Sequence, residues 1–287
     1  MFGYHIRRAL IKALIVIAAA EPIMAFSLIT AGSAATGEQR RAAIVIDDFG
    51  NGMSGTEDML RLPVPFTAAV MPFLPMTKRD AEAAHKLHHD VIIHLPMEPK
   101  KGVKSWLGPG AITTDLSDGE IRKRVEAAIA DVPYAVGMNN HMGSKATADE
   151  RVMRIVLGVC REHGLFFLDS RTAWKSVIPR IGEELGVPVI RNSVFLDDVY
   201  TTSHIAKQLS VFDKRLNEQG TCIAIGHVGP QGKKTAAALS AAIPGLKRST
   251  TFVRASDVVR RLLRDQLIIP NGISDGGGNP LLLARVD

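Results

Sequence analysis

The chain has 287 residues, enough for one large core and within the size range of a single α/β barrel. Its formal charge is +6, but Arg7, Arg8 and Lys12 against Glu21 place two of those charges in residues 1–35 and leave +4 for the rest, interspersed with acids. No basic stripe results, so nucleic acid is excluded as the expected partner. The two cysteines, Cys160 and Cys222, have no metal spacing and exclude a disulfide framework; both read as small buried hydrophobes.

Residues 1–35 have the layout of a signal peptide or an N-terminal membrane anchor. A basic start precedes the apolar runs Ala13–Ala20 and Ile23–Ala31, and the small-residue run Ala31–Ala35 suits a cleavage site. Glu21-Pro22 interrupts the apolar stretch, which weakens a spanning helix more than a signal. The domain that follows is therefore expected to be exported, either periplasmic or anchored facing the periplasm, with membrane association only through this segment.

Ala42–Ile46 is an apolar, β-branched run and predicts a buried strand. It stops at Asp47 and Asp48, followed by the turn cluster Phe49-Gly50-Asn51-Gly52. On a regular strand these adjacent carboxylates point to opposite faces, so one can ligate a cation while the other faces a substrate. Helical spacing follows over 54–62, then a strand over 66–71, a helix over 78–89 and a strand over 91–95 that delivers His94 into His94-Leu-Pro-Met-Glu98-Pro99. A long loop carries Gly102, Trp106 and Gly108-Pro109-Gly110. Asp115–Ala130 reads as an amphipathic helix capped by Asp115 or Ser117. Strands over 135–138, 165–168, 187–191, 221–225 and 250–253 alternate with helices over 149–163, 177–185, 202–219, 235–242 and 256–263. Residues 265–287 form a Gly-rich tail.

Strand and helix alternate about eight times, which predicts parallel βαβ units closed into a barrel or wound as a sheet. Asp47, Asp48, His94, His141, Asp169, Arg171, Asp197 and His227 all fall at or just past strand C-termini. In a parallel barrel those ends share the face that carries the chemistry. Imidazole and carboxylate without thiolate suit zinc or another first-row divalent ion. Two His and one Asp with an open position would polarise a carbonyl and acidify water, leaving a second carboxylate as base and a separate His as acid.

The segments AIVIDDFG, HLPMEP, GMNNHMGS, FLDSRT, NSVFLDD and AIGHVGP together resemble the divergent polysaccharide deacetylase family, a YibQ-like branch of the NodB-homology fold. The resemblance runs from about Arg41 to Arg264 and implies a distorted (β/α) barrel of about seven parallel strands. It also implies metal-dependent hydrolysis of N- or O-acetyl groups on an envelope or extracellular polysaccharide. By the family pattern Asp47 is the general base, Asp48 a metal ligand and His227 the general acid, with Asp169 and Arg171 tuning or orienting the base. The sequence departs from that pattern at one place. Typical members carry two metal histidines four residues apart, whereas His94 is followed at that spacing by Glu98. The third ligand is then His141 or Glu98, with His141 lining the substrate groove in the latter case; Pro96 and Pro99 disfavour a helical pairing of His94 with Glu98.

Weaker expectations attach to other residues. Trp106 and Trp174 either stack on sugar rings or anchor packing. Asp197 and Asp198 either bind sugar hydroxyls or cap the next helix, with the cap expected for Asp198. His85, His88 and His89 read as a solvated helix face, and His204 as an ordinary helix residue. Ser144 and Ser170 lack a Gly-x-Ser-x-Gly elbow, which argues against a serine hydrolase. Two rivals to the deacetylase reading remain: a non-catalytic carbohydrate-binding envelope protein on the same fold, and a metal-dependent hydrolase of another bond. Acetate release separates the first rival, and phosphate release from a generic ester would favour the second.

Overall fold

The computed structural model describes residues 39–267. The predicted export segment and the tail beyond Leu267 lie outside the described residues. In chain order come β1 (Arg40–Phe49), α1 (Thr56–Leu60), β2 (Thr67–Val70), α2 (Thr77–Lys86), β3 (Asp90–Met97), α3 (Asp118–Asp131), β4 (Ala135–Met142), α4 (Glu150–Glu162) and β5 (Phe166–Asp169). Then follow α5 (Ile178–Leu185), β6 (Val189–Arg191), β7 (Val194–Phe195), α6 (Thr202–Gln219), β8 (Thr221–His227), α7 (Gly232–Leu246), β9 (Thr250–Val253) and α8 (Ala255–Leu267).

All pairings between these strands are parallel, in the order β6-β5-β4-β3-β2-β1-β8-β7, with β9 beside the first residues of β1. Parallel neighbours need helical crossovers, which is why strand and helix alternate in the sequence. The end strands β6 and β7 are joined only by Asn192-Ser193. There the backbone crosses from one rim to the other: Asn192 N donates to Asp169 O and Ser193 N to Ile223 O. The sheet is thus an open parallel barrel whose end strands are bridged by that stretch of chain, distorted as expected, with nine strands among the described residues where about seven were anticipated. The two-residue β7 is too short to leave a periodic signal in the sequence.

Side-chain parity sorts the core into two layers. Ala42, Ile44 and Ile46 of β1, with Val91, Ile93 and Leu95 of β3, belong to the outer core under the helices. Ala43, Val45, Ala69, Ile92, Phe166, Leu168, Ile190, Ile223 and Ile225 fill the interior, together with Ala255 and Val259 of α8. Gly137 shares this interior because an added Cβ would sit 2.6 Å from the Phe166 ring. Two residues further along the same inward faces come Asp47, His94, Asn139 and His227, so the strands set a polar layer directly on an apolar one.

Some expected boundaries differ. β3 continues through Pro96 to Met97, and β4 through Asn139, Asn140 and His141 to Met142, because each strand keeps a ladder partner in the other. His94 is a strand residue as expected, and His141 is one too rather than a loop residue. Helix α2 stops at Lys86, and His89 leaves the expected solvated face: it is buried, packs against the Phe66 ring at a tilt of 34° with centroids 3.8 Å apart and accepts from Phe66 N. His85 and His88 are exposed as expected. Ser117 caps α3, accepting from Glu120 N, and Thr201 rather than Asp198 caps α6. Cys160 and Cys222 are buried, and burial pushes the Cys160 thiol up to about 12.

Candidate active site

β1 ends in an irregularity that the sequence does not announce. Its register with β2 slips between Ile46 and Phe49, and Asp48 there has a left-handed φ of 70°. Aspartate tolerates that region better than most residues, and bulges commonly re-aim side chains beside functional sites. The result corrects the expectation of opposite faces: Asp47 and Asp48 both line one cleft and approach the same imidazole nitrogen. The turn behind the bulge is held by Asp80, buried at the start of α2, whose Oδ2 accepts from Gly50 N at 2.9 Å.

Three donor atoms converge. Asp48 Oδ1 lies 3.0 Å from His141 Nδ1 and 3.3 Å from His94 Nε2, and the two ring nitrogens are 3.1 Å apart. Each ring is oriented through its other nitrogen. His94 Nδ1 donates to Asn139 Oδ1 at 2.7 Å, and His141 Nε2 donates to the Trp106 carbonyl at 3.0 Å. Those tautomers, assigned from the partners, turn both lone pairs toward Asp48. Asp48 Oδ1 is itself buried without a hydrogen-bond donor. Burial pushes the Asp48 carboxyl up, yet the imidazoles of His141 and His94 hold it well below the usual range. Burial pulls His94 down, yet Asp47 and Asp48 raise it. The arrangement calls for positive charge between these atoms, and two imidazoles with one carboxylate fit a first-row divalent ion. Glu98 is committed elsewhere: Oε2 accepts from Thr114 N and Oγ1, and Oε1 pairs with Lys145 at 2.8 Å.

Asp47 is buried 3.7 Å from His94 Nε2, and its Oδ1 accepts from Asn139 Nδ2 at 2.9 Å. Burial raises its pKa, against the pull of His94 and His227. Asn139 thus holds Asp47 with one end of its amide and His94 with the other, a role the sequence analysis did not give it. Across the cleft, His227 Nδ1 donates to Asp197 Oδ1 at 2.7 Å, while Asp197 Oδ2 accepts from His227 N and Thr235 Oγ1. Burial pulls His227 down, but Asp197, with Asp48 and Asp47 behind it, lifts it to about 9. Asp197 is neither cap nor exposed sugar ligand. Asp198 instead pairs with His204 Nε2 at 2.7 Å.

Asp169 and Arg171 are not brought to Asp47. Asp169 alternates with the inward Phe166 and Leu168 and shares the parity of Phe167, which belongs to the outer core. Its Oδ1 accepts from Arg171 N, and the exposed Arg171 guanidinium reaches the Asn192 carbonyl at 3.4 Å. The Asp47 contact expected of this pair is made by Asn139.

The cleft, about 320 Å³, is lined by Asp47, Asp48, His94, His141, Asp197 and His227, with Phe195, Tyr200 and Gln231 at its sides. It thus gathers a three-donor cluster, a buried carboxylate and a carboxylate-paired imidazole in one small volume, a layout suited to hydrolysis at a polarised carbonyl.

A family model for divergent polysaccharide deacetylases matches residues 44–259. An uncharacterized protein, YibQ, of Escherichia coli (strain K12) is 35% identical over 241 residues, covering 84% of this chain and 74% of its own length. A Haemophilus influenzae protein is 34% identical over 232 residues, covering 81% and 80%. Among solved structures, the uncharacterized protein ATU2773 of Agrobacterium tumefaciens C58 aligns with TM-score 0.72 and 21% identity over 78% of this chain and 90% of its own. A putative polysaccharide deacetylase of Mycobacterium smegmatis aligns with TM-score 0.52 and 13% identity over 84% and 96%.

Proposed function

Because the chain belongs to the divergent polysaccharide deacetylase family, we propose that it hydrolyses N- or O-acetyl groups on an envelope or extracellular polysaccharide, using a divalent ion, with zinc favoured. The observation that carries the reading is the convergence of Asp48 Oδ1, His94 Nε2 and His141 Nδ1 beside a separate carboxylate and a separate imidazole. Such an ion, held by these three residues, supplies Lewis acidity toward a carbonyl and a lowered pKa for water. Asp47 then takes the proton of the attacking water, with Oδ1 fixed by Asn139 and Oδ2 left to receive it. His227, held by Asp197 through Nδ1, delivers a proton from Nε2 to the departing amine or alcohol as the bond from the acetyl carbon to nitrogen or oxygen breaks. Water is consumed, acetate leaves, and both side chains return to their starting charge through solvent.

The basic residues at the head of residues 1–35 and the apolar runs behind them support an exported enzyme, cleaved or anchored. Among the described residues no helix is long and apolar enough to cross a membrane.

The zinc-loaded protein should release acetate from acetylated glycan oligomers. Glycan binding with no acetate release would overturn the reading in favour of a binding protein, and phosphate release from a generic ester would favour another hydrolase.

Asp197→Asn offers a test of the acid. The substitution removes the charge that lifts His227 to about 9, so less imidazolium remains at neutral and alkaline pH. The alkaline limb of kcat/KM should move to lower pH while the acidic limb stays, as measured by initial rates across pH. An unmoved alkaline limb would remove His227 as the acid.

A further inference from the structure

The segment Asp169-Ser170-Arg171-Thr172 stands out in the sequence as a polar strand end, yet its two charged side chains do not reach Asp47. Its two hydroxyls do reach a functional element. The backbone ladder joining β4 to β5 runs up to Asn139, opposite Leu168. On the other side β4 pairs with β3 as far as Met142, but the residue opposite His141 there is Pro96, which has no N–H to give. The end of β4 that carries His141 is therefore less well laddered than the strand below it.

Ser170 and Thr172 make good that deficit. Ser170 N donates to Asn140 Oδ1 and Ser170 Oγ to the Asn140 carbonyl, both at 3.1 Å. Asn140 Nδ2 donates to Thr172 Oγ1 at 3.0 Å and to the Met142 carbonyl at 2.7 Å, and Thr172 Oγ1 donates to that same carbonyl at 2.6 Å. The carbonyl so gripped belongs to a methionine at φ 55°, a left-handed conformation that such a side chain keeps only where its surroundings fix it. The bend that presents both hydroxyls is itself set, with Arg171 at φ 59° and its N–H on Asp169 Oδ1 at 2.8 Å. His141 stands between the two anchored residues. Its ring nitrogens face Asp48, His94 and the Trp106 carbonyl, so whatever the hydroxyls do to it they do through the backbone.

Resting on the reading that Asp48, His94 and His141 hold a divalent ion, we propose that Thr172, Ser170 and Asn140 are positioning residues. They form a brace from β5 that fixes the backbone on both sides of His141 and thereby the place of its imidazole. Partners of this kind, one step removed from a ligand, commonly change metal affinity by 10- to 100-fold.

The test compares the full chain with Thr172→Val, which keeps the side chain's shape and removes its hydroxyl, and with Thr172→Ser, which returns the hydroxyl. Thr172 also lines the cleft, so zinc affinity is measured without substrate, by competition with a chromophoric chelator, where a sugar contact would register nothing. Thr172→Val should bind zinc about tenfold more weakly or worse, and Thr172→Ser should recover most of the loss. Ser117→Ala, which removes the cap of α3, reports the effect of a hydrogen bond lost elsewhere and should leave zinc affinity at the wild-type value. A second readout needs no metal. In the zinc-free protein, nitrogen NMR of labelled histidine should show His141 as the Nε2–H tautomer that the Trp106 carbonyl selects. In Thr172→Val its two ring-nitrogen shifts should move toward the average of an unrestrained imidazole.

An unmoved His141 signature in Thr172→Val would overturn the brace. So would an unchanged zinc affinity in that variant when the wild type binds zinc, or an equal loss in Ser117→Ala. A wild type that takes up no zinc, with the His141 signature still lost in Thr172→Val, sinks the metal reading and keeps the brace. Zinc uptake and acetate release with an unmoved signature do the reverse.

Discussion

Replacing Asp47 with asparagine should lower turnover by about 10²–10⁴-fold, the usual contribution of a positioned general base, while the bound metal stays at wild-type stoichiometry. The shape of the site survives the change. The new amide can turn its oxygen toward Asn139 Nδ2, which now donates to Asp47 Oδ1 at 2.9 Å, and none of the three convergent donors is removed. What disappears is the oxygen that receives the proton under the proposed mechanism. Acetate release and elemental analysis on the same preparation check both halves. Full activity would remove Asp47 as base, and lost metal would show that Asp47 belongs to the ligand set.

His94→Ala should produce the opposite pattern, with metal lost and activity lost with it. A ligand that binds only the folded state at a hundred times its Kd stabilises it by about 2.7 kcal/mol. For a domain of this size that corresponds to roughly 5–10 °C in Tm. Added zinc should therefore raise the Tm of the wild type by that amount and leave His94→Ala and Asp48→Ala unmoved. Glu98→Gln should respond as the wild type does, because Glu98 spends its oxygens on Thr114 and Lys145. His141→Ala separates the two ligand sets left open by the sequence. An undiminished zinc response there, together with a lost one in Glu98→Gln, would restore Glu98 as the third ligand.

The parallel barrel was legible because buried parallel strands leave apolar, β-branched runs that no surface element imitates. The cluster was legible in part for the same reason, since chemistry placed at strand ends appears as abrupt switches from apolar to polar, as at Ile46-Asp47. Less was legible where geometry departed from regularity. Period-two reasoning put Asp47 and Asp48 on opposite faces, and only the left-handed φ at Asp48 reverses that. The same reasoning, applied strictly, would have excluded Asp169, which has the parity of the outer core. Asn139 was visible as the inward neighbour of His141, two residues before it on β4, yet a neutral amide carries no signal of its own. Asp197 stood out as a strand-end residue, yet its pairing with His227 did not, because β7, the strand it follows, has only two residues and leaves no pattern of its own.

The apolar layer beneath the site has a kinetic consequence. Val45, Ile92, Leu168 and Ile225 fill the barrel under the polar layer, and Ala255 and Val259 of α8 pack into the same interior. The site therefore rests on an apolar floor. Under the proposed mechanism, the proton that Asp47 gains and the proton that His227 gives up would be exchanged with bulk water through the cleft mouth, where the ligand would lie. Resetting the pair would then wait on departure of the ligand, as in an airlock, one cycle for each opening.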